Sequence, residues 1–218
     1  KRKTIMRIYL IRHGQTTSNV RHILDSNPPG AHLSDLGREQ AAGLVAAFDG
    51  VDLDAVYVSS LRRTGETAEP LALARGIDPV ELDGLREIEA GSWEGGSDEA
   101  TYRGYLGTVQ RWLSGRLEER GGGGVTGADV LERYDAAIAS IEASGARAAA
   151  AVSHGAAIGF WTCMRASGID RRALERALNL DAAPLQVLKN GQMCVIEGDL
   201  ASGYRAVSWN GVALGESR

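Results

Sequence analysis

Two histidines in this 218-residue chain stand in matching places. Arg12, His13 and Gly14 follow an apolar run in "RIYLIRHG", and Ser153, His154 and Gly155 follow another in "AAAAVSHG". An imidazole can attack, hold a charge or move a proton near neutral pH, and a following glycine lets backbone approach a ligand closely. A lone histidine of this kind is commonly structural; two in the same setting favour a shared site. Arg62 and Arg63 in "SSLRRTGETAEP" come off a third apolar run, "DAVYVS" at 54–59. Arginines converging with imidazoles describe an anion pocket, and phosphate suits the bidentate guanidinium best. "LREIEAGSWEG" adds the carboxylates of Glu87 and Glu89. An acid beside a bound phosphate can protonate a leaving oxygen when burial or the anion itself raises its pKa.

The elements that must hold these groups alternate along the chain. Strands are expected at 6–11, 54–59, 79–82 and 148–153, with helical stripes between them: Ala41, Leu44, Val45 and Phe48, then Thr67, Ala68, Leu71 and Ala72. This alternation implies an α/β fold, a three-layer α/β/α arrangement around a mostly parallel sheet. In such sheets ligands bind beyond the carboxyl ends of the strands, where all the candidate residues lie. "MCVIEG" and "YRAVSWNG" read as an added edge hairpin. The apolar faces at 99–117 and at Leu131, Tyr134, Ile138 and Ile141 predict two helices, read as a cap inserted at 92–146 in a single-domain core of 1–91 and 147–218. "GGGGVTG" at 121–127 is expected to be a flexible turn, since no P-loop context follows it.

Composition narrows the function. A net charge of −4 without a basic run argues against a nucleic-acid partner, and the apolar start is too short to span a membrane. Cys163 and Cys194 lack metal-like spacing and read as reduced core residues, which points to the cytoplasm. A monomer and a homodimer are both compatible with the chain. His22 and His32, in a Pro/Gly-rich loop, and Arg103, Arg111 and Arg120, in the cap, are expected to be solvated.

Five segments, in this order, resemble the histidine phosphatase superfamily: "RHG" at 12–14, "LSDLGREQA" at 33–41, "SSLRRTGETA" at 59–68, "LREIEAGSWEG" at 85–95 and "VSHG" at 152–155. The resemblance implies that His13 is a nucleophile that becomes phosphorylated, that Arg12, Arg63 and His154 hold the phosphoryl oxygens, and that Glu87 donates a proton. It adds Asn19 and Gly155 as phosphate contacts. It favours Arg63 over Arg62, which is left as a solvated neighbour, and Glu87 over Glu89. It implies a small phosphorylated substrate, no metal and no cofactor. On this reading His13 must be neutral, with a carbonyl at the Gly14 turn holding its other nitrogen, whereas His154 works best protonated.

The chain departs from the family in lacking a Glu-Ser pair before the second cap helix, and in a long loop at 22–33. Three activities fit: a phosphomonoesterase, a phosphoglycerate mutase-type phosphotransferase, and a non-catalytic phospho-ligand binder. The binder is disfavoured because both His13 and Glu87 are present. The loose look of the loop and of the glycine run favours a mouth open to water, hence hydrolysis.

Overall fold

The computed structural model describes residues 5–170 and 188–214. In chain order the elements are β1 (Met6–Arg12), α1 (Thr17–Val20), α2 (Asp35–Ala47), β2 (Ala55–Val58), α3 (Arg62–Arg75), β3 (Val80–Glu81), α4 (Glu99–Leu113), α5 (Gly127–Ala143), β4 (Ala148–Ser153), α6 (Gly155–Arg165), β5 (Ala166–Ser167), β6 (Met193–Asp199), β7 (Gly203–Trp209) and β8 (Val212–Ala213). They build one sheet of order β3-β2-β4-β1-β6-β7-β5, with β8 on β7. β3, β2, β4 and β1 run parallel. The β6–β7 hairpin continues the sheet antiparallel from β1, as the hairpin reading expects.

The central strand β4 explains the layering. Its side chains alternate between two faces, and a strand covered on both faces reads as a continuous apolar run. Ala150 and Val152 point into a core with Tyr9, Ile11, Val56 and Val58 under Leu44 of α2, Phe48 at its C-cap, and Ala68 and Leu71 of α3. Ala149 and Ala151 point the other way, joining Ile8 and Leu10 under Ile138 and Ile141 of α5 and Ile158 and Trp161 of α6. Helices therefore cover both faces. Among the described residues no helix is long and apolar enough to cross a membrane. Neither Cys163 nor Cys194 forms a disulfide among the described residues, and Cys194 is buried.

Two features differ from the sequence reading. The segment 92–146 divides: α5 lies in the helical layer against the sheet, because a helix leading directly into a parallel strand must pack back onto that sheet. α4 buries Val109 and Trp112 in the same core and carries Tyr102, Tyr105 and Leu106 to the cavity described below. The second difference is tightness. Gly121–Gly123 form a short 3-10 turn whose backbone touches the 90–93 loop; a Cβ on Gly122 would come within 2.6 Å of the Ala90 carbonyl, and one on Gly91 within 2.5 Å of the Gly122 carbonyl. The glycines permit contact rather than slack. The 22–33 loop is also anchored, with Leu24 N–H donating to Gly96 O (2.9 Å) and Gly95 N–H to Leu24 O (2.8 Å). The Glu94 carboxylate accepts from Ser26 N–H (2.9 Å) and from the Ser26 hydroxyl, and that Oγ accepts in turn from Ala90 N–H (2.8 Å).

Candidate active site

Arg12 and Ser153 are cross-strand partners at the ends of β1 and β4, and Val58 closes β2 against Val152. The next residues are thereby brought together: the rings of His13 and His154 lie edge-on with centroids 5.1 Å apart. His13 is 4% exposed and His154 fully buried. The turn between β1 and α1 is shaped by a glycine pair. A Cβ on Gly14 would sit 2.5 Å from Gly37 O, and one on Gly37 2.0 Å from Gln15 O, so α2 can begin hard against the turn only with both glycines. Ser34 caps α2 through Gly37 N–H (3.1 Å) and reaches Gln15 with the same hydroxyl. Thr67 Oγ1 donates to Arg63 O (2.6 Å) and accepts from Gly14 N–H (2.9 Å), which ties α3 to the same turn.

His13 Nδ1 lies 2.7 Å from Gly14 O. That bond requires the proton on Nδ1 and leaves a lone pair on Nε2. Burial first, then the charges of Arg63 and Arg12, push the His13 pKa well down. His154 Nε2 meets Ser59 Oγ at 2.8 Å, and its Nδ1 is buried with no protein partner. Burial and then Arg63 and His13 push its pKa well down as well. Both histidines are therefore neutral at rest, so the protonated His154 that its implied role calls for is not the resting form.

The guanidinium groups are under-satisfied. Arg63 is 3% exposed, donating from Nη2 to Asp25 O (2.8 Å), while its Nε and Nη1 have no hydrogen-bond partner. The nearest carboxylate atom, Asp25 Oδ2, is 3.7 Å from Nη1. Arg12 donates to Leu188 O (2.7 Å) and leaves Nε buried and unpartnered. Buried N–H donors left without acceptors cost about 1–3 kcal/mol each unless an anion joins them. Glycine again makes the room: a Cβ at Gly155 would touch Arg12 Nε at 3.0 Å, and one at Gly30 would strike Arg63 Nη1 at 2.6 Å.

Glu87 faces the start of α6. Its Oε1 accepts from Ile88 and Ala157 N–H (both 2.9 Å), and Oε2 lies 3.3 Å from Ala156 N. A cavity of about 240 Å³ is lined by Arg12, His13, Asn19, Arg63, Glu87 and Gly155 among others; His154 is not among its lining residues.

The remaining sequence candidates lie elsewhere. Glu89 pairs with Arg86 and lies 3.5 Å from Arg133 Nη2. Arg62 is exposed, as expected, but donates to His32 Nε2 (2.5 Å), whose Nδ1 is paired with Glu66. His22 is exposed, and neither His22 nor His32 lines the cavity. Arg103 pairs with Glu99, Arg111 with Glu119, and Arg120 donates to Gly124 O.

Two supporting residues escape sequence reasoning. Arg133 of α5 donates to the carbonyls of Gly84 (2.8 Å), Arg86 (2.9 Å) and Glu87 (2.8 Å), clamping the loop that carries Glu87. Asn190 Nδ2 bridges His13 O (3.0 Å) and Asn19 Oδ1 (3.2 Å). An arginine on a helix and an asparagine in a turn carry no local signal of such contacts.

A family model, Histidine phosphatase superfamily (branch 1), matches residues 8–194. The chain belongs to the histidine phosphatase superfamily. It is 31% identical, over 95% of its length and 37% of the relative's, to the PE-PGRS family protein PE_PGRS11 of Mycobacterium tuberculosis. To a probable phosphatase of Schizosaccharomyces pombe it is 38% identical over 41% of this chain and 43% of that one. The chain thus spans well under two thirds of the length of these curated relatives. A mycobacterial glucosyl-3-phosphoglycerate phosphatase solved with VO3 superposes with a TM-score of 0.70 at 23% identity, over 96% of this chain and 100% of that one, which shows the fold.

The resting charge state of this superfamily member has a measurable consequence. Each buried histidine binds fewer protons folded than unfolded, so stability rises with pH across the window from the depressed folded value up to the ordinary 6.5. On acidification below about pH 6.5 each should remove up to about 1.4 kcal/mol of stability per pH unit. Thermal melts from pH 7.5 to 5 should show this slope, and His154→Gln should reduce it. An unchanged slope in that variant would place His154 outside the titration.

Proposed function

We propose that the chain hydrolyses phosphomonoesters of small molecules through a phosphohistidine on His13. The observation that carries this is the state of His13: neutral, held by Nδ1 on Gly14 O, with Nε2 free in a cavity that Arg12 and Arg63 also line, each with buried N–H groups that no protein acceptor takes. Nε2 attacks phosphorus, the new N–P bond replaces the ester P–O bond, and the departing alcohol oxygen takes a proton from Glu87. Arg12 and Arg63 meet the oxygens whose charge grows in the transition state. Burial first, and then the charge of Arg63, hold His154 neutral; a bound phosphoryl dianion offsets the charge part and so shifts His154 toward its proton-bearing form at that stage. Water then attacks phosphorus, returns a proton to Glu87 and releases inorganic phosphate and neutral His13. The cations here are side chains, so the cycle requires no metal.

Curated relatives include Phosphoserine phosphatase 1 of Hydrogenobacter thermophilus and the Adenosylcobalamin/alpha-ribazole phosphatase of Escherichia coli; Salmonella proteins named probable phosphoglycerate mutase also match. Hydrolysis is favoured because no cap arginine is free to seat a second anionic group: Arg103, Arg111 and Arg120 are all engaged elsewhere. Cys163 and Cys194, without a disulfide among the described residues, fit a reducing cytoplasm. Two assays test both points: p-nitrophenyl phosphate with and without EDTA, and 3-phosphoglycerate with catalytic 2,3-bisphosphoglycerate. Phosphate release from the nitrophenyl ester undiminished by EDTA is expected; isomerisation of 3-phosphoglycerate outpacing any phosphate release would make the chain a mutase, and activity restored only by added metal would refute the side-chain pocket.

A further inference from the structure

The rest of the cavity lining has its own chemistry. Ile23 and Leu24 reach it from the loop after α1, Tyr102 and Leu106 from one face of α4, Phe160 from α6, and Trp209 from the end of β7. Tyr102 and Leu106 are four residues apart and so lie on the same side of their helix. Among the described lining residues the only cations are Arg12 and Arg63, both at the phosphoryl end. The carboxylate nearest to Arg63 is Asp25, which also lines the cavity and accepts from Ala31 N–H (2.8 Å). A substrate carrying a second phosphate or a carboxylate would bury that charge among apolar walls and near Asp25, with no cation among the described lining residues beyond Arg12 and Arg63.

We propose that the leaving alcohol is uncharged and apolar, so that the site takes phosphomonoesters of aliphatic or aromatic alcohols rather than phosphorylated acids or bisphosphates. This rests on the phosphomonoesterase reading of the site and deepens it. The cavity of about 240 Å³ equals roughly eight waters at about 30 Å³ each. That leaves space beside the phosphoryl group for roughly five or six carbons. Selectivity then arises from burial of the carbon chain, and discrimination against acids from desolvation of their charge.

Two homologous series separate this proposal from the reading beneath it. The first is binding of n-alkylphosphonates, ethyl to octyl, which carry no hydrolysable ester bond, followed by titration calorimetry. Affinity should rise about three- to fourfold per methylene, the increment for burying one CH2, and level off near hexyl. The second is turnover of the matching n-alkyl phosphates, whose alcohols are nearly equal as leaving groups. Their kcat/KM should rise in parallel, mainly through KM, with 3-phosphoglycerate at least about 30-fold below hexyl phosphate. Leu106→Asn should flatten both slopes, and Leu106→Met should restore them. A flat or falling phosphonate series, or tighter binding of 3-phosphoglycerate than of hexylphosphonate, overturns the proposal. A rising phosphonate series without phosphate release from any ester supports the apolar site and instead sinks the hydrolase reading.

Discussion

Replacing His13 with alanine should lower phosphate release by about 10⁴ to 10⁶, the range seen when a covalent nucleophile is removed. Among the described lining residues no other side chain can take over. His154 does not line the cavity and has Nε2 on Ser59, and the remaining polar groups are acids, amides, hydroxyls or guanidiniums. The substitution also frees Gly14 O from its 2.7 Å bond to Nδ1, at a cost of about 1–3 kcal/mol for an unsatisfied buried acceptor. It removes an imidazole whose burial opposes protonation, so stability at pH 5.5 should fall less than at pH 7.5. The decisive measurement is paired: release of phosphate from p-nitrophenyl phosphate, and acid-labile label on the protein after rapid quenching with a radiolabelled ester. Label that persists in His13→Ala, or activity above about a hundredth of the original, would move the nucleophile elsewhere.

Glu87→Gln should divide substrates by leaving group. An alkyl phosphate needs its oxygen protonated as the P–O bond breaks, so kcat/KM should drop by about 10² to 10⁴, the usual contribution of a positioned acid. p-Nitrophenyl phosphate departs as a stable anion and should lose less than about tenfold. Glutamine can keep the bonds from Ile88 and Ala157 N–H on its oxygen, but its amide nitrogen cannot accept the Ala156 N–H that donates to Oε2 at 3.3 Å. That unsatisfied donor should cost about 1–3 kcal/mol of stability, and a thermal melt checks that the variant is folded at the assay temperature. Equal losses on both esters would take the proton-donor role from Glu87. Glu89 would not inherit it, because it is held by Arg86 and lies beside Arg133 outside the cavity.

The legible part of this protein was local. The strands ending in Arg12-His13-Gly14 and Ser153-His154-Gly155 declare themselves because a doubly covered parallel strand is an unbroken apolar run, and its end is the first place polar groups can appear. The carbonyl for His13 Nδ1 was equally readable, since it belongs to the next residue. Illegible features concern how distant segments touch. Residue types and spacing leave Arg62 and Arg63 equivalent, and only the family resemblance favours one. The start of α3 then turns Arg63 inward, under the loop at Asp25 and Gly30, and leaves Arg62 on the surface with His32. The glycine run and the 22–33 loop look slack in sequence because glycine and proline mark turns, yet both are packed, one by backbone contact with Ala90 and Gly91, the other by hydrogen bonds to Glu94, Gly95 and Gly96.

The sequence by itself determined the alternation of strands and helices, the imidazoles and guanidiniums at the strand ends, and the family those motifs announce. Each follows from periodicity and from residue types a few positions apart. Tertiary structure alone decided that α5 joins the layer under the sheet, that Arg133 and Asn190 brace the loops bearing Glu87 and His13, and that both histidines rest neutral. It alone brought Tyr102, Leu106, Phe160 and Trp209 into the lining of the cavity. These outcomes depend on distances and burial between residues tens to nearly two hundred positions apart, and no spacing along the chain encodes them.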